Sequence, residues 1–500
     1  MNENITAEIC SKAKENSTKF HSSNEVAIIL AAGHGKRIKS QTSKMLHKIW
    51  EIPTVERVYN ACKLGVQNIN TVIVVGIKAL DVMDVIGKRE SNKFAFQEKQ
   101  NGTGHAVQVG LKEIENEFND GIVYVLPGDM GLLDDSSMIK FREDFISSGD
   151  DMMVLTGVYE GDPFLNSYGR IIRVKDKDIN GVSASIDKAN VIQIMEFKDI
   201  LALPDDKPYH VIYRNKTYSY TKKELIETNE FNSGVYAFNY KKLLELINNL
   251  SSNNAQNEIY ITDLISLFNE KDYSVGAVSP KNQYVVMGFN DKSVLKEMHE
   301  IARRNVYDKL KNIIQIDDPD DFFIHDSVVN DLIEMDKKGI PLDIQIGKGA
   351  YIGDGVKLNY NVEIGRAAYI KGNVVFGKNI KVWRIVHLST FPDQTLTIGD
   401  NVKILWGDII KGNIIIGENS VIESSVNMTG SDEFPLRIGK NVVIKGSSYL
   451  FGSVVEDGVV IEHSVLIKKR IRVEKDATGK IKPVRFYIPE TEGKDLLSEI

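Results

Sequence analysis

The hydrophobic positions of this chain follow two different spacings, one before and one after about residue 340. In the first part, short apolar runs alternate with segments in which apolar residues recur every three or four positions, as on one face of a helix. These patterns predict strands at 26–31, 71–75, 122–126 and 152–158, and helices such as 54–64 and 104–118. Such alternation predicts an α/β domain with a mostly parallel sheet that binds its ligands beyond the carboxyl ends of the strands.

After residue 340, an aliphatic or aromatic residue recurs at every sixth position, in runs that begin at Ile346, Ile398 and Ile438. This period is typical of a β-solenoid, in which each step is a short strand and a turn, with Gly or Asn at the tight corners. An up-and-down β-sandwich is the alternative, but it would alternate with period two. The period breaks at 387–397 and 427–436, where we expect loops that project from the solenoid.

A one-sided apolar stripe separates the two patterns. Met298, Ala302, Val306 and Leu310 lie on one face of a helix, which predicts a linking helix. The first 24 residues are polar and lack the apolar segment of a signal peptide, so we expect a frayed tail or a surface helix there. The predicted divisions are an N-terminal extension (1–24), an α/β domain (25–290), a linking helix and connector (291–340), a β-helix (341–470) and a C-terminal tail (471–500).

Composition narrows the class of protein. The 500 residues carry a net charge of −7, from 62 Lys and Arg against 69 Asp and Glu. This charge disfavours a protein that binds nucleic acids or anionic membranes through its overall electrostatics. Only two cysteines occur, which excludes a disulfide scaffold and fits a reducing, cytoplasmic compartment. The apolar runs are too short to span a membrane. A phosphate-bearing ligand must therefore be held by local charges.

The turn after the first predicted strand is the first candidate for such a site. Gly33 and Gly35 allow the backbone to approach a phosphate, while Arg37 and Lys44 supply positive charge. The turn matches neither the Walker A loop nor the dinucleotide fingerprint. A tight strand-to-helix connection without a ligand is the alternative.

A second candidate is Asp129, which follows the predicted buried strand 122–126. A carboxylate there is costly unless it is paired or bound to a cation. Asn290 supplies an amide oxygen, and Mg²⁺ prefers a few protein oxygens together with substrate phosphate. Helix capping is the alternative role for both residues.

These motifs resemble the signature of sugar-nucleotide pyrophosphorylases. Within them, the chain is most similar to the bacterial N-acetylglucosamine-1-phosphate uridyltransferases, whose bifunctional form adds a C-terminal hexapeptide-repeat acetyltransferase domain. The matching segments follow in family order along most of the chain: 29–37 with Lys44, 97–106, 127–129, 168–171, 196–199, 232–235, 253–263 and 288–290.

The resemblance implies a Rossmann-like nucleotidyltransferase domain followed by a left-handed hexapeptide-repeat β-helix. It implies that UTP and N-acetylglucosamine-1-phosphate give pyrophosphate and UDP-N-acetylglucosamine, a precursor of the cell envelope, with Mg²⁺ as cofactor. It also implies a homotrimer formed through the β-helix. Another sugar-1-phosphate nucleotidyltransferase, such as a glucose-1-phosphate type, and a non-catalytic regulatory protein that binds sugar nucleotides stay open as alternatives.

The resemblance also assigns roles to individual residues. An amide such as Gln97 can both donate to and accept from the edge of uracil, whereas a solvated strand end is its alternative role. Glu196 is assigned to the sugar, with an exposed surface charge as the alternative. The assignments are catalysis for Arg37 and Lys44; nucleotide binding for Leu30, Ala31, Ala32, Gly33, Gln97, Gly102, Thr103 and Gly128; sugar binding for Gly169, Glu196 and Asn232; and metal binding for Asp129 and Asn290.

Several positions depart from the family pattern. Lys36, Ser43, Pro127 and Gly131 replace its usual residues without removing an essential charge, which puts the sugar and nucleotide preference in question. About 30 residues are inserted between Asp199 and Asn232, where we expect a larger loop beside the sugar pocket.

In the repeat region, Gly407 stands where the family has its catalytic histidine, and Glu433 replaces a lysine. A base must lie within hydrogen-bond reach of the amine it deprotonates. We therefore expect no glucosamine-1-phosphate acetyltransferase activity and structural roles for His387 and His463.

Overall fold

The protein is described from a computed structural model that covers residues 3–33 and 38–486. The chain divides into two compact units, Met1–His299 and Glu300–Ile500. The division falls within the helix Lys292–Leu310, so the helix predicted between the two patterns is confirmed. None of the helices in these residues is long and apolar enough to cross a membrane.

The first unit alternates strands and helices. Its strands are Glu25–Ala31 (β1), Lys48–Ile49 (β2), Ile52–Pro53 (β3), Asn70–Val75 (β4), Asn92–Phe96 (β5), Ile122–Pro127 (β6), Met152–Val158 (β7), Arg170–Arg173 (β8), Val191–Met195 (β9), Tyr209–Tyr213 (β10), Lys216–Tyr220 (β11), Glu230–Asn239 (β12) and Val275–Val278 (β13). Its helices are Glu3–Asn16 (α1), Thr54–Gly65 (α2), Ala79–Ile86 (α3), Thr103–Lys112 (α4), Asp135–Ser148 (α5), Phe197–Ala202 (α6), Lys222–Glu227 (α7), Tyr240–Leu246 (α8) and Leu264–Glu270 (α9).

The main sheet of this unit has the strand order β13-β7-β12-β6-β1-β4-β5, with β8 and β9 joined to its antiparallel part. Strands β1, β4, β5 and β6 pair in parallel, whereas β12 runs antiparallel to both β6 and β7. All six residues of β4 are buried because apolar clusters cover both faces of the sheet. The mostly parallel sheet predicted from the sequence is confirmed.

The register of this sheet determines where the candidate residues lie. Leu30 in β1 is paired with Pro127 in β6, so the segments that follow these two strands lie side by side. Val75 in β4 is paired with Phe96 in β5, which places Gln97 at the same edge of the sheet. The candidate residues that follow β1, β5 and β6 therefore lie close together, at the carboxyl ends of these three parallel strands.

Two segments whose structure the sequence left open have regular elements, and the first of them is the surface helix offered as one alternative for residues 1–24. The first is α1, whose Ile9 is completely buried and whose Lys12 pairs with Asp84 of α3. The second is the insertion after Asp199, in which β10 and β11 form an antiparallel hairpin followed by α7. Tyr213, Tyr218 and Tyr220 of this hairpin pack in a separate apolar cluster together with residues of β8 and β9, so the insertion is folded against these strands rather than being only an enlarged loop.

The second unit is a parallel β-helix built from three sheets. The first sheet contains Gln315–Ile316, Gln345–Ile346, Val362–Ile364, Ile380–Val382, Lys403–Ile404, Val421–Ile422, Val443–Ile444 and Val460–Ile461. The second contains Phe323–Ile324, Tyr351–Ile352, Tyr369–Lys371, His387–Ser389, Ile409–Gly412, Asn427–Gly430, Tyr449–Phe451 and Val465–Ile467. The third contains Val374–Phe376, Leu396–Ile398, Ile414–Ile416, Leu436–Ile438, Val454–Val455 and Arg470–Ile471. One further helix, Asp326–Asp336, follows the first strand of the second sheet.

The six-residue period thus corresponds to one strand and turn, and three such steps close one coil. Asn361, Asn379, Asn401 and Asn419 occupy one corner of successive coils with positive φ angles of 56–59°. Their side-chain amides form a ladder with N–O distances of 2.9 to 3.0 Å. Asn tolerates this left-handed conformation, which confirms the predicted use of Asn at the tight corners.

Two boundaries differ from the sequence prediction. Gln315–Ile316 already pairs in parallel with Gln345–Ile346, so the coils begin inside the segment assigned to a connector. His387–Ser389 and Asn427–Gly430 are strands of the second sheet, which leaves only 390–395 and 431–435 as insertions. The six-residue phase breaks there because of the inserted residues, while the preceding strands keep their register with neighbouring coils.

Asp408 is a buried carboxyl group inside the β-helix. It occupies the position that Val386 and Val426 take in the adjacent coils, and it is 0% exposed. One oxygen accepts a hydrogen bond from the backbone N–H of Val426 at 2.8 Å, and the other has no partner among the described residues. Burial raises the pKa of Asp408 to about 8. The folded state therefore favours the protonated form.

We expect the β-helix to lose stability as the pH rises from about 4, the pKa of an unfolded aspartate, to about 8. Folded Asp408 keeps its proton in this range whereas the unfolded aspartate releases it, so the stability present at low pH is lost progressively and the loss is complete once the folded carboxyl ionises. Asp408→Asn should remove this dependence of the free energy of unfolding on pH, whereas Asp393→Asn, at an exposed loop position, should keep it. Calorimetric melting of the full chain at about pH 5 and pH 8.5 checks this. Equal pH slopes for Asp408→Asn and the unchanged protein would contradict the assignment.

Candidate active site

A cavity of about 800 Å³ opens at the carboxyl ends of β1, β5 and β6. Eleven of the residues singled out in the sequence line it: Leu30, Ala32, Gly33, Lys44, Gln97, Gly102, Thr103, Asp129, Glu196, Asn232 and Asn290. Ala31, Gly128 and Gly169 lie directly behind this lining. Arg37 lies outside the described residues. A single cavity therefore brings together residues that are up to 260 positions apart in the sequence.

An ionic cluster occupies one part of this cavity. The Lys44 ammonium forms a salt bridge with Asp129 Oδ2 and donates a hydrogen bond to Asn290 Oδ1 at 3.1 Å. It also lies 5.4 Å from the centre of the Phe289 ring. Asp129 is only 8% exposed, so Lys44 supplies the positive charge that a buried carboxylate needs.

The backbone around this cluster is held in place on both sides. Thr54 donates a hydrogen bond to the carbonyl oxygen of Met45 at 3.1 Å, which fixes the short 3₁₀ helix Lys44–Leu46. The Gly128 N–H donates to the Leu30 carbonyl oxygen at 3.0 Å. The segment that carries Lys44 is therefore anchored to α2, and the segment that carries Asp129 is anchored to the sheet.

Asp129 and Asn290 can share one cation, since their oxygen atoms both contact the same ammonium nitrogen. No cluster of three or more His, Cys, Asp or Glu side chains suited to a metal occurs among the described residues. A divalent ion held here would thus take two protein oxygens and complete its shell with phosphate and water, as Mg²⁺ prefers. Helix capping is not the role of Asn290, because Asp291 accepts the hydrogen bond from Val294 N–H at 3.0 Å.

Gln97 presents an oriented amide to the cavity. Its Nε2 donates to the Gly102 carbonyl oxygen at 3.1 Å and lies 3.0 Å from His105 Nδ1. Burial, together with the nearby Lys112, lowers the pKa of His105, which favours the neutral ring that can accept this hydrogen bond. Both amide hydrogens of Gln97 are committed, so its carbonyl oxygen is the group left to accept a hydrogen bond from a ligand.

The turn before α4 requires glycine at one position. Gly102 has φ +109°, and a Cβ atom there would overlap the Ile259 carbonyl oxygen. The same oxygen accepts a hydrogen bond from Gly104 N–H at 2.8 Å, and Ile259 N–H donates to Asn101 at 2.7 Å. The segment 253–263 therefore supports this turn from behind. The backbone at Gly102 and Thr103 stays open to the cavity.

The other side of the cavity is acidic. Glu196 lines the cavity, and a Cβ atom at position 169 would lie 3.1 Å from its Oε1, so a side chain there would crowd the carboxyl group. Burial, followed by the charges of Asp199 and Asp263, raises the pKa of Glu196 to about 7. Its carboxyl group can therefore exchange a proton near neutral pH.

Asn232 lies at a bulge in β12 and has an oriented side chain. Its Oδ1 accepts hydrogen bonds from Gly234 N–H at 2.9 Å and from the Tyr236 hydroxyl at 3.0 Å. Its backbone N–H donates to the Gly169 carbonyl oxygen at 2.9 Å. The side-chain NH₂ group is left as the donor available to a ligand.

Tyr168 joins the two sides of the site. Its hydroxyl donates to the Gly288 carbonyl oxygen at 2.9 Å, and its ring stacks on Phe231 at 4.6 Å. Arg170, which is 0% exposed, donates to the carbonyl oxygens of Tyr168 and Asn166. The segment that contains Asn290 is thus tied to the segment that contains Gly169.

Sequence reasoning did not assign site roles to His105, Tyr168 and Tyr236, which act by orienting the assigned residues. His105 lies two positions into α4 after the Gly102–Thr103 turn, a signal that could have linked it to Gln97. Tyr168 opens the matching segment 168–171, but its contact with Gly288 joins two distant segments, and the contact of Tyr236 with Asn232 depends on the bulge in β12.

Three comparisons relate the chain to known proteins. The sequence profile of the MobA-like NTP transferase domain matches residues 27–209. A bifunctional GlmU protein of Acetivibrio thermocellus is 33% identical over 305 residues, which are 61% of this chain and 57% of that protein. Another, from Thermoanaerobacter pseudethanolicus, is 32% identical over 352 residues, 67% of each chain. The chain thus matches 57 to 67% of the length of these two relatives.

Likeness to solved structures is weaker. A UDP-glucose pyrophosphorylase complexed with UDP-glucose is 17% identical and aligns with 57% of this chain and 100% of that one. Its TM-score is 0.39.

Proposed function

The chain belongs to the family of bifunctional GlmU proteins, and from this premise we propose that its first unit is a sugar-nucleotide pyrophosphorylase. The substrates we propose are UTP and N-acetylglucosamine-1-phosphate, and the products are UDP-N-acetylglucosamine and pyrophosphate. One observation carries the proposal: the charged cluster of Lys44, Asp129 and Asn290 lines the same cavity as the polar groups of Gln97 and Glu196.

In the proposed reaction, a phosphate oxygen of the sugar-1-phosphate attacks the α-phosphorus of UTP. A new P–O bond forms as the bond to the departing pyrophosphate breaks. No protein nucleophile is needed, because catalysis comes from aligning two anions and offsetting their repulsion. Lys44 contributes positive charge within the cavity, and we assign the same role to Arg37.

Members of this family generally use a divalent metal ion. We propose Mg²⁺, held by Asp129 and Asn290, since two protein oxygens and substrate phosphate suit its coordination. When bound, the ion would offset charge on the reacting phosphate groups.

We assign uracil to the Gln97 side of the cavity. The carbonyl oxygen of the Gln97 amide can accept the N3–H of uracil, and the backbone at Gly102 and Thr103 supplies further polar groups. The sugar is assigned to the opposite side, where Glu196 can accept hydrogen bonds from hydroxyls and Asn232 can donate one. Gly169 leaves room for the Glu196 carboxyl.

A substrate panel tests this proposal. Purified protein with Mg²⁺ should release pyrophosphate fastest from UTP with N-acetylglucosamine-1-phosphate, among the common nucleoside triphosphates and the 1-phosphates of glucose, glucosamine and N-acetylglucosamine. Lys44→Ala should lower turnover by about 10²-fold or more, the size expected for loss of a preorganised charge contact. Lys48→Ala, at an exposed position four residues later, should match the unchanged protein.

Two outcomes of this panel would contradict the proposal. Fastest release with glucose-1-phosphate would favour a glucose-1-phosphate nucleotidyltransferase. Binding of UDP-sugars without pyrophosphate release from any pair would favour a regulatory protein.

The raised pKa of Glu196 predicts a pH dependence of sugar binding. Because the ionised carboxyl is the better acceptor, KM for the sugar-1-phosphate should rise as the pH falls below about 7, by up to about tenfold per pH unit. The phosphate group of the substrate also gains a proton, at about pH 6, and contributes to the same profile. Glu196→Gln isolates the protein group, since its profile should keep only the substrate contribution. An identical profile for both proteins would remove Glu196 from the sugar site.

We further propose that the β-helix serves assembly rather than acetyl transfer, and that the protein is a cytoplasmic homotrimer. Trp383, Ile385, Trp406 and Ile409 are 45 to 62% exposed on the β-helix, an apolar surface typical of an interface. His387 is hydrogen-bonded to Ser389 at 3.0 Å and stacked on Tyr369 in the adjacent coil, which favours a structural role.

Sedimentation equilibrium should give three times the chain mass of 56.1 kDa. A mass of one chain would contradict the assembly.

A further inference from the structure

The position of the Lys44 ammonium has a consequence for how the site is loaded. We propose that Lys44 acts as a resident counter-cation that competes with the divalent ion for Asp129 and Asn290, and that nucleotide phosphate must draw it away before the ion binds there. This inference rests on the proposed function, because it takes the divalent ion and the nucleotide as ligands of this cavity.

The geometry of the cluster is the first argument. Lys44 contacts Asp129 Oδ2 and Asn290 Oδ1 at the same time, and these are the two oxygens that suit the ion. The side chains of Lys44 and Asp129 are only 15% and 12% exposed, so little water is available to separate the charges. An ion that binds both oxygens must therefore displace the ammonium.

Charge is the second argument. Asp129 is the carboxylate in contact with Lys44, and no cluster of three or more possible metal ligands adds to it within the described residues. One carboxylate can offset one ammonium, but an ammonium and a divalent ion together would leave excess positive charge in a poorly hydrated site. Phosphate groups supply the missing negative charge when a nucleotide is bound.

The local structure allows the exchange. The backbone that carries Lys44 is fixed through Met45 and Thr54, whereas the lysine side chain has a flexible four-carbon stem. The ammonium can therefore move toward a phosphate without rearrangement of the loop. Because binding free energies are reciprocal, nucleotide and divalent ion should each strengthen binding of the other through Lys44.

A permanent ion pair between Lys44 and Asp129 is the competing interpretation. In that case, Lys44 would only stabilise the site, and its loss would leave divalent-ion binding unchanged or weaker. The two interpretations thus predict opposite signs for a variant that lacks the ammonium.

Titration with Mn²⁺ followed by electron paramagnetic resonance, in the absence of nucleotide, tests the sign. Lys44→Met should bind Mn²⁺ about tenfold more tightly than the unchanged protein, within the range of typical couplings between sites. Lys44→Gln should do the same and retains a hydrogen-bond donor for Asp129, which guards against misfolding of the first variant. Lys48→Met removes a positive charge from an exposed neighbouring position and should leave Mn²⁺ affinity unchanged.

A double variant locates the gained affinity. Lys44→Met combined with Asp129→Asn should lose the gain, because the carboxylate for which the ammonium and the divalent ion compete is gone. Unchanged or weaker Mn²⁺ binding by folded Lys44→Met and Lys44→Gln would overturn the inference. A gain that survives Asp129→Asn would also overturn it.

The measurement is independent of turnover. A tenfold gain in Mn²⁺ affinity without pyrophosphate release from any substrate pair would support the competition and reject the proposed reaction. Pyrophosphate release without a gain in Mn²⁺ affinity would do the reverse.

Discussion

The buried carboxylate of Asp129 is the constraint on which the site in the first unit depends. It follows β6, the middle strand of the mostly parallel main sheet, where an uncompensated charge would be costly. Lys44 supplies the compensation and is itself held beside Asn290, so three distant segments meet at one charge. Any ligand that enters this part of the cavity must rearrange that balance, and a phosphate with a divalent ion can do so without leaving a charge unpaired.

Around this charged centre, the other polar groups are oriented before any ligand arrives. The Gln97 amide is fixed by Gly102 and His105, and the Asn232 carbonyl by Gly234 and Tyr236. Recognition of a base and a sugar by such groups requires little ordering of side chains on binding, which reduces its entropic cost. The site thus combines fixed neutral groups with one charged contact that can exchange partners.

Much of the fold that positions the site was predictable from the sequence. The apolar runs located the central strands because a strand covered on both faces must be apolar, and the six-residue period located the β-helix. The contacts that orient the site were not predictable, because the Tyr168–Gly288 and Asn232–Tyr236 hydrogen bonds depend on tertiary packing. The inward direction of Asp408, by contrast, could have been predicted, because it stands two residues before the inward-facing Ile410 and alternate side chains of a strand share a face.

The central claim is that Lys44 and a divalent ion exchange places at Asp129. Anomalous diffraction from crystals soaked with Mn²⁺ and UTP tests it most directly. The account predicts a manganese peak within coordination distance of Asp129 and Asn290, with the Lys44 ammonium on a phosphate oxygen. A manganese peak elsewhere, with Lys44 still bound to Asp129 beside the nucleotide, would contradict it.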